Sequence, residues 1–536
     1  MVKRKRPNIL WISFEDTNPF YGCYGDTVAR TPNLDNLARQ GCLYTHCFST
    51  AAVCAAARSA IITGMYPVSI GTHHMRTSHT HPAALELPTP YSAVIPHYVK
   101  CFTEYLRAEG YYCTNNGKTD YQFDPPFTAW DECSKEAHWR NRPESGQPFF
   151  AVFNLNRTHE SGMWPEKCPE VMFDPGKMQV PPYFPDTSGV REALARMYTN
   201  IELNDRALGK ILSQLEEDGL LENTVVFHWS DHGPLPRGKR WLYDSGIHVP
   251  LIIRWPGYIK PGSTSNRLVS TIDLGPTVLS IAGIPIPSHI QGKAFLGNQA
   301  APPRRYIYAS RDRQDIAYDM VRAVRDKRFK YIRNFCPELP YNLWIPYLYR
   351  HPIMQEIWKE FMARRLTGPQ LLMFQPRTPE ELYDTEEDPY EIHNLAGNLK
   401  YRKELFRLRK VLDEWLKEVG DMGRIQESEM VRMWHPDGEQ RETAAPVFVP
   451  VSEENPGLGY IRDEGVYRLK QPVFMQLFCA TQGASIGYTL EEGDNPRWFL
   501  YKGPIPLQKG KTILRAKAVR IGYKESREKK GTFIVQ

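Results

Sequence analysis

The sequence predicts an α/β fold built on a large, mostly parallel sheet flanked by helices. Two observations carry this. Short apolar runs recur at residues 8–14, 148–156, 224–229 and 249–255, and helical patterns lie between them at 32–40, 98–108 and 191–218. A third supports it: of 536 residues, 41% are hydrophobic, 24% charged and 12% aromatic, a globular composition that excludes global disorder.

The first run, NILWISF, starts at Asn8 directly after the basic stretch Met1-Val2-Lys3-Arg4-Lys5-Arg6-Pro7, with no apolar signal-peptide core between them. The expectation is a cytoplasmic chain, or a periplasmic or secreted one whose signal peptide has been replaced by a start methionine. The longest apolar stretches, 51–57 and 249–253, fall far short of the ~18 residues of a membrane span, so none is expected. The long helical pattern stops at Gly219. Past Pro285, loops rich in Pro, Arg and Tyr lead to a helix whose Tyr401, Leu405, Leu408, Leu412, Trp415 and Val419 form one apolar stripe. This region reads as a smaller α+β subdomain. After a linker around 438–457 come short alternating strands with turn signals at Glu492-Gly493-Asp494-Asn495-Pro496 and Lys509-Gly510, which predict a small accessory β-sandwich. The expected division is 1–299 for the α/β domain, 300–440 for the α+β subdomain and 458–536 for the accessory module.

Lys and Arg number 67 against 61 Asp and Glu, a balance of +6 spread along the chain. That suits an anionic substrate and gives no nucleic-acid footprint. Ten cysteines without a CxxC pair exclude a disulfide scaffold and argue against structural zinc.

Ligands of open α/β sheets bind outside the carboxyl ends of the strands, so the polar residues just past each run are informative. Glu15 and Asp16 follow the first run, Lys118 and Asp120 follow 111–116, Arg157 and His159 follow 148–156, and Asp231 and His232 follow 224–229. Three carboxylates and a histidine at adjacent strand ends make a donor set for a divalent cation, with Lys and His facing an anion bound to it. Each alone is an ordinary turn or cap residue; the set points to a site. A second constellation is Cys54-Ala55-Ala56-Ala57-Arg58, read as the start of a helix that puts Cys54 and Arg58 on one face. The plainer reading is a small-residue helix packed on the sheet with a buried thiol.

Cys54-x-Ala56-x-Arg58 followed by Thr63-Gly64 resembles the sulfatase signature, in which the cysteine is oxidised to formylglycine. Further family marks follow in order: Thr31-Pro32-Asn33-Leu34-Asp35, Gly117-Lys118, Ser230-Asp231-His232-Gly233, and Lys239 four before Tyr243-Asp244-Ser245-Gly246. Later come Ile272-Asp273-Leu274-Gly275-Pro276-Thr277 with Gln291-Gly292, then Glu381-Leu382-Tyr383-Asp384 and Asp388-Pro389-Tyr390-Glu391. The likeness covers about residues 7–420. Val180-Pro181-Pro182-Tyr183-Phe184-Pro185 and the His73-His74 pair resemble the branch containing N-sulfoglucosamine sulfohydrolase and related polysaccharide sulfatases. Residues 488–522 resemble the small β-sandwich appended to many bacterial carbohydrate-active enzymes.

The resemblance implies an alkaline phosphatase-like fold and hydrolysis of O- or N-linked sulfate from a sulfated saccharide. It implies metal ligation by Glu15, Asp16, Asp231 and His232, with the oxidised residue 54 nearby. The ion is expected to be Ca2+, with Mg2+ or Mn2+ as alternatives because Glu15 stands where Asp is usual and His232 where many relatives have Asn. Arg58, Lys118 and Lys239 would hold sulfate oxygens or orient the nucleophile, and His159 would protonate the leaving group. The family often has a histidine where this chain has Asp120, so His73 or His74 is expected to supply that imidazole or to bind substrate. Arg76, Arg311 and Arg313 suit a substrate with charges beyond the sulfate being cleaved; the alternative for Arg311 and Arg313 is a solvated loop. The implied partners are the saccharide and a maturation enzyme acting on Cys54, whose choice is narrowed by Ala56 in place of the commoner Pro. Two other readings stand: a phosphonate or phosphate ester hydrolase on the same fold, and a glycan-binding pseudoenzyme in which residue 54 stays a thiol.

Overall fold

A computed structural model describes residues 6–470 and 473–536; residues 1–5 of the basic N-terminal run lie outside the described residues. Its centre is a nine-stranded sheet of β1 (Asn8–Phe14), β2 (Cys42–Phe48), β3 (Tyr112–Asn116), β4 (Glu132–Ser134), β5 (Phe149–Leu155), β6 (Thr224–Ser230), β7 (His248–Arg254), β8 (Ser263–Ser265) and β9 (Val269–Ser270). The order is β4-β3-β5-β1-β6-β7-β2-β8, with β9 beside β2. β4, β3, β5, β1 and β6 are parallel, whereas β7 runs antiparallel to both β6 and β2.

All seven residues of β1 are buried, because helices cover both faces of a strand in a parallel sheet; hence its continuous apolar reading. Trp11, Phe102, Phe150 and Phe227 pack on one face, and Leu10, Ile12, Phe149 and Val226 on the other. The helices of this layer are α1 (Pro32–Gln40), α2 (Cys54–Thr63), α3 (Pro67–Ile70), α4 (Phe102–Ala108) and the long α5 (Ser188–Glu217). Thr187 caps α5 by accepting from Val190 N, and Gly219, at φ 68°, turns the chain after it. The pattern at 98–108 yields a shorter helix than expected. A reciprocal capping box between Cys101 and Glu104 starts α4 at Phe102, and Tyr98 stays exposed.

Beyond this layer, β10 (Ile307–Arg311), β11 (Val321–Arg325), β12 (Phe329–Asn334) and β13 (Glu380–Asp384) form an antiparallel sheet. The helix Arg402–Val419 lays Leu405, Leu408, Leu412 and Trp415 over its Val324, Tyr331 and Leu382. The C-terminal strands make a three-stranded and a five-stranded sheet around Phe448, Met475, Leu514 and Phe533. Val447–Val451 belongs to the smaller sheet although it falls in the stretch read as a linker. It is an edge strand, so Pro450 is tolerated there, and Phe448 is its buried anchor. The module is held against the catalytic layer by Lys100 Nζ donating to Ser485 Oγ (2.9 Å) and Arg107 Nη2 donating to the Trp498 carbonyl (2.6 Å). Among the described residues no helix is long and apolar enough to cross a membrane.

Candidate active site

Strand register builds the site. Phe14, the last residue of β1, pairs with Leu155 on one side and Ser230 on the other, so the segments after three neighbouring strands leave the sheet side by side. Glu15, Asp16, Asp231 and His232 are thereby brought together, each 2% exposed or less. Asp16 N donates to Asp231 Oδ1 at 3.1 Å, and Glu160 N donates to Asp16 Oδ2 at 2.8 Å.

The helix α2 brings Cys54 and Arg58 to this edge. Every residue of α2 is buried, and its alanines let it lie close to the neighbouring elements. Cys54 Sγ lies 3.7 Å from Glu15 Oε1, 3.8 Å from Asp16 Oδ1 and 3.1 Å from His232 Nε2. One turn on, Arg58 Nε donates to Asp231 Oδ2 (3.0 Å) and Nη1 to Asn154 Oδ1 (2.9 Å). Its Nη2 is buried without a partner among the described residues, a donor left over for a bound oxygen.

The loop after β6 carries Lys239 and Arg240, and glycine fixes its path. A Cβ on Gly246 would lie 2.1 Å from the carbonyls of Gly238 and Trp241, and one on Gly233 would lie 2.0 Å from that of Ser245. Backbone thus packs on backbone, and Lys239 Nζ reaches Asp16 Oδ2 at 2.6 Å, Glu160 Oε1 at 3.0 Å and His159 Nε2 at 3.2 Å. Arg240 clasps Glu160 with two bonds of 2.8 and 2.7 Å. Lys118 pairs with Glu15 and lies 3.8 Å from Asp120 Oδ2.

This donor set fits a divalent cation. Asp16, Cys54, Asp231 and His232 each place a ligand atom within 4.8 Å of the others, as do Glu15, Asp16, Cys54 and His159. His232 Nδ1 lies 3.0 Å from the Gly233 carbonyl; donating there fixes its proton and turns the Nε2 lone pair toward Asp16 Oδ1, 3.3 Å away. Lone pairs facing each other call for a positive charge between them. Glu15, Asp16, Asp231 and His232 would hold that charge, and oxygen donors with one imidazole match Ca2+, Mg2+ or Mn2+ rather than a thiolate-loving ion.

The electrostatics follow from burial. Burial pushes the Cys54 thiol well up, and the Lys239 charge only partly opposes it, so the free thiol is a poor nucleophile here. Burial also raises the Asp231 carboxyl, but the neighbouring positive charges, Arg58 and Lys118 among them, outweigh it and hold the group ionised. Burial lowers His159 to about 4, with Lys239 adding to the effect. Burial lowers Lys118, partly offset by Asp120.

Several residues expected at the site lie elsewhere. His73 and His74 are buried with their rings tilted against each other, centroids 4.3 Å apart, and all four ring nitrogens lack a partner among the described residues. Burial lowers both, with Asp312 and Arg322 the nearest charged influences on His73 and Arg313 and Arg322 on His74. Arg311 and Arg313 do not sit on a solvated loop, since both side chains are buried. Arg313 is fully buried in a two-bond clasp with Glu427, each bond 2.6 Å. Arg311 stacks 3.7 Å over Trp241 and lies 3.1 Å from Asp319 without hydrogen-bond alignment; burial drops its pKa to about 10. Asp120 does lie beside the site, 3.8 Å from Lys118 Nζ, and Arg76 lies 5.5 Å from the ring centroid of Tyr347, itself next to His159; both have left-handed backbone (φ 58° and 65°). Glu160 and Arg240 were not singled out from sequence; the only signal was their adjacency to His159 and Lys239.

Comparison with known proteins gives the family. Residues 7–284, just over half the chain, match the family model "Sulfatase", and residues 236–345 match "N-sulphoglucosamine sulphohydrolase, C-terminal". An ulvan-active sulfatase of Formosa agariphila is 42% identical over 564 residues, covering 98% of this chain and 91% of that protein. The human N-sulphoglucosamine sulphohydrolase is 28% identical over 499 residues, covering 84% and 96%. Among solved structures, one in complex with D-glucosamine-2-N,6-O-disulfate superposes with a TM-score of 0.56 at 20% identity, covering 79% of this chain and 100% of that one. The phosphonate monoester hydrolase of Silicibacter pomeroyi superposes with 0.58 at 18%, covering 78% and 97%. At such identities these two speak for the alkaline phosphatase-like fold alone. The family match and the relative covering nearly the whole chain carry the conclusion: this chain is a hydrolase of the sulfatase family.

Proposed function

We propose that the protein removes sulfate from a sulfated, acidic polysaccharide, using residue 54 in its oxidised form. The observation that carries this reading is the convergence of Arg58, Lys118 and Lys239 with three buried carboxylates around Cys54 Sγ. A sulfate ester gains and redistributes negative charge during transfer, and preorganised cations in a dry site stabilise it. Formylglycine at residue 54 supplies, when hydrated, two hydroxyls on one carbon, one to attack sulfur and one whose proton loss expels sulfate; a bound divalent cation supplies Lewis acidity.

The chain's own groups do the rest. Lys118, Lys239 and the spare Nη2 of Arg58 bind and orient sulfate oxygens. Ser161 N donates to His159 Nδ1 (3.3 Å), which leaves Nε2 to face the cluster and pass a proton to the departing sugar oxygen or nitrogen. The sulfate itself, placed against Lys239, offsets the charge that disfavours the imidazolium. The test is a sulfate-release screen over defined sulfated saccharides, with phosphate and phosphonate monoesters for comparison. The 42% relative makes ulvan oligosaccharides the first substrates, and the 28% relative makes N-sulfated glucosamine the second. Sulfate release exceeding phosphate release supports the reading; the reverse order would replace it with the phosphonate or phosphate hydrolase.

A further inference from the structure

Tyr347, from the short helix Pro346–Tyr349, stands beside the catalytic edge. Its ring centroid is 6.1 Å from that of His159 and 5.1 Å from that of Trp164. It is half-buried, so one part of the ring forms wall and another meets solvent. The guanidinium of Arg76 lies 5.5 Å from the ring centroid, and that of Arg350 lies 4.2 Å over Trp164. The wall therefore adjoins the residue assigned the leaving-group proton.

Arg76 differs from the buried arginines around the site. Arg58, Arg240, Arg313 and Arg322 are buried and hydrogen-bonded to carboxylates. The Arg76 side chain is 37% exposed; its Nε lies 3.3 Å from Asp315 Oδ1, and no hydrogen bond engages its guanidinium among the described residues. Both Arg76 and Asp315 adopt left-handed backbone, at φ 65° and 52°, a conformation costly for side chains with a Cβ and frequent at ligand clamps. A planar fork with uncommitted N–H groups beside an aromatic wall is a receptor for a carboxylate or sulfate on a sugar ring.

We propose that Tyr347 and Arg76 form a subsite for the sugar next to the sulfated one, and that this neighbour carries an anionic substituent. The inference rests on the sulfatase reading above and goes beyond it by assigning a second recognition point. Tyr347 lies beyond residue 345, where the second family match ends, so this ring comes from a segment neither family model covers.

The test compares sulfate release from a sulfated disaccharide with a neighbouring uronic acid and from its carboxyl-reduced counterpart, in full-length enzyme carrying the residue 54 aldehyde. Wild type should favour the acidic disaccharide in kcat/KM by on the order of tenfold, the size expected of one charge-assisted contact. Arg76→Ala should erase that ratio through KM, with Arg76→Lys restoring part of it. Tyr347→Ala should raise KM for both disaccharides and Tyr347→Phe should restore it, since the ring and not the hydroxyl forms the wall. An unchanged ratio in Arg76→Ala, or a Tyr347→Ala loss confined to kcat, would overturn the subsite. Wild-type enzyme that releases no sulfate even from a small aryl sulfate would instead remove the underlying sulfatase reading.

Discussion

Lys239 Nζ lies 3.2 Å from His159 Nε2, and two positive charges so close cannot both persist at low cost. Lys239 keeps its proton: burial disfavours the charge, but Asp16 outweighs it. His159 is therefore neutral near pH 7 until an anion enters. The arrangement ties proton supply to substrate occupancy.

His159→Gln should accordingly lower turnover of a sulfated saccharide by about 10²–10⁴-fold, the range for losing a general acid. An aryl sulfate with a good leaving group should lose far less, because its phenolate needs no proton. Steady-state rates on the two substrate types check this. Equal losses would assign His159 to sulfate binding instead.

Glu160→Gln should destabilise the protein at neutral pH, because it strips Arg240 of its buried carboxylate; breaking such a pair costs about 3–5 kcal/mol. Burial raises the Glu160 carboxyl, but Arg240 and Lys239 outweigh it and hold it well below the usual range. Its folded pKa is below its unfolded value, so the stabilisation is present above about pH 4.3 and is lost as pH falls through the folded value. Thermal melts of wild type and variant should therefore converge at acid pH.

Arg313→Ala should lower the unfolding midpoint markedly, since it leaves Glu427 buried and uncompensated, again by about 3–5 kcal/mol. The KM of the folded fraction should stay at the wild-type value. Replacing both partners, Arg313→Met with Glu427→Leu, should recover most of the stability. A raised KM for saccharide with unaltered stability would return Arg313 to the substrate site.

Addition of Ca2+ should raise the melting temperature, because a ligand bound only by the folded state stabilises it by about 2.7 kcal/mol at a hundred times its Kd. Asp231→Asn should abolish that increment, and Mg2+ and Mn2+ titrations will rank the ions. An identical shift in the variant would place the cation elsewhere.

How much of this was legible in the sequence follows from where each residue sits relative to a regular element. Glu15, Asp16, Asp231, His232, Lys118 and His159 each follow closely on a recognisable buried strand, and parallel register does the gathering. β2 was missed because CLYTHCF alternates only weakly and has no apolar run, its burial coming from tertiary packing. The antiparallel direction of β7 leaves no mark on an apolar run. Arg313 was misread because nothing local announces Glu427, 114 residues further on, as its partner. Glu160 went unnoticed for the same reason: its clasp with Arg240 spans 80 residues.

The central claim is that chemistry passes through an oxidised residue 54, and mass spectrometry of the tryptic peptide spanning residues 40–58 tests it most directly. Preparations made with different maturation enzymes should show an aldehyde fraction at residue 54 that rises in proportion to specific sulfatase activity, reaching zero activity at zero aldehyde. Full activity in a preparation containing only the unmodified Cys54 thiol would contradict the account.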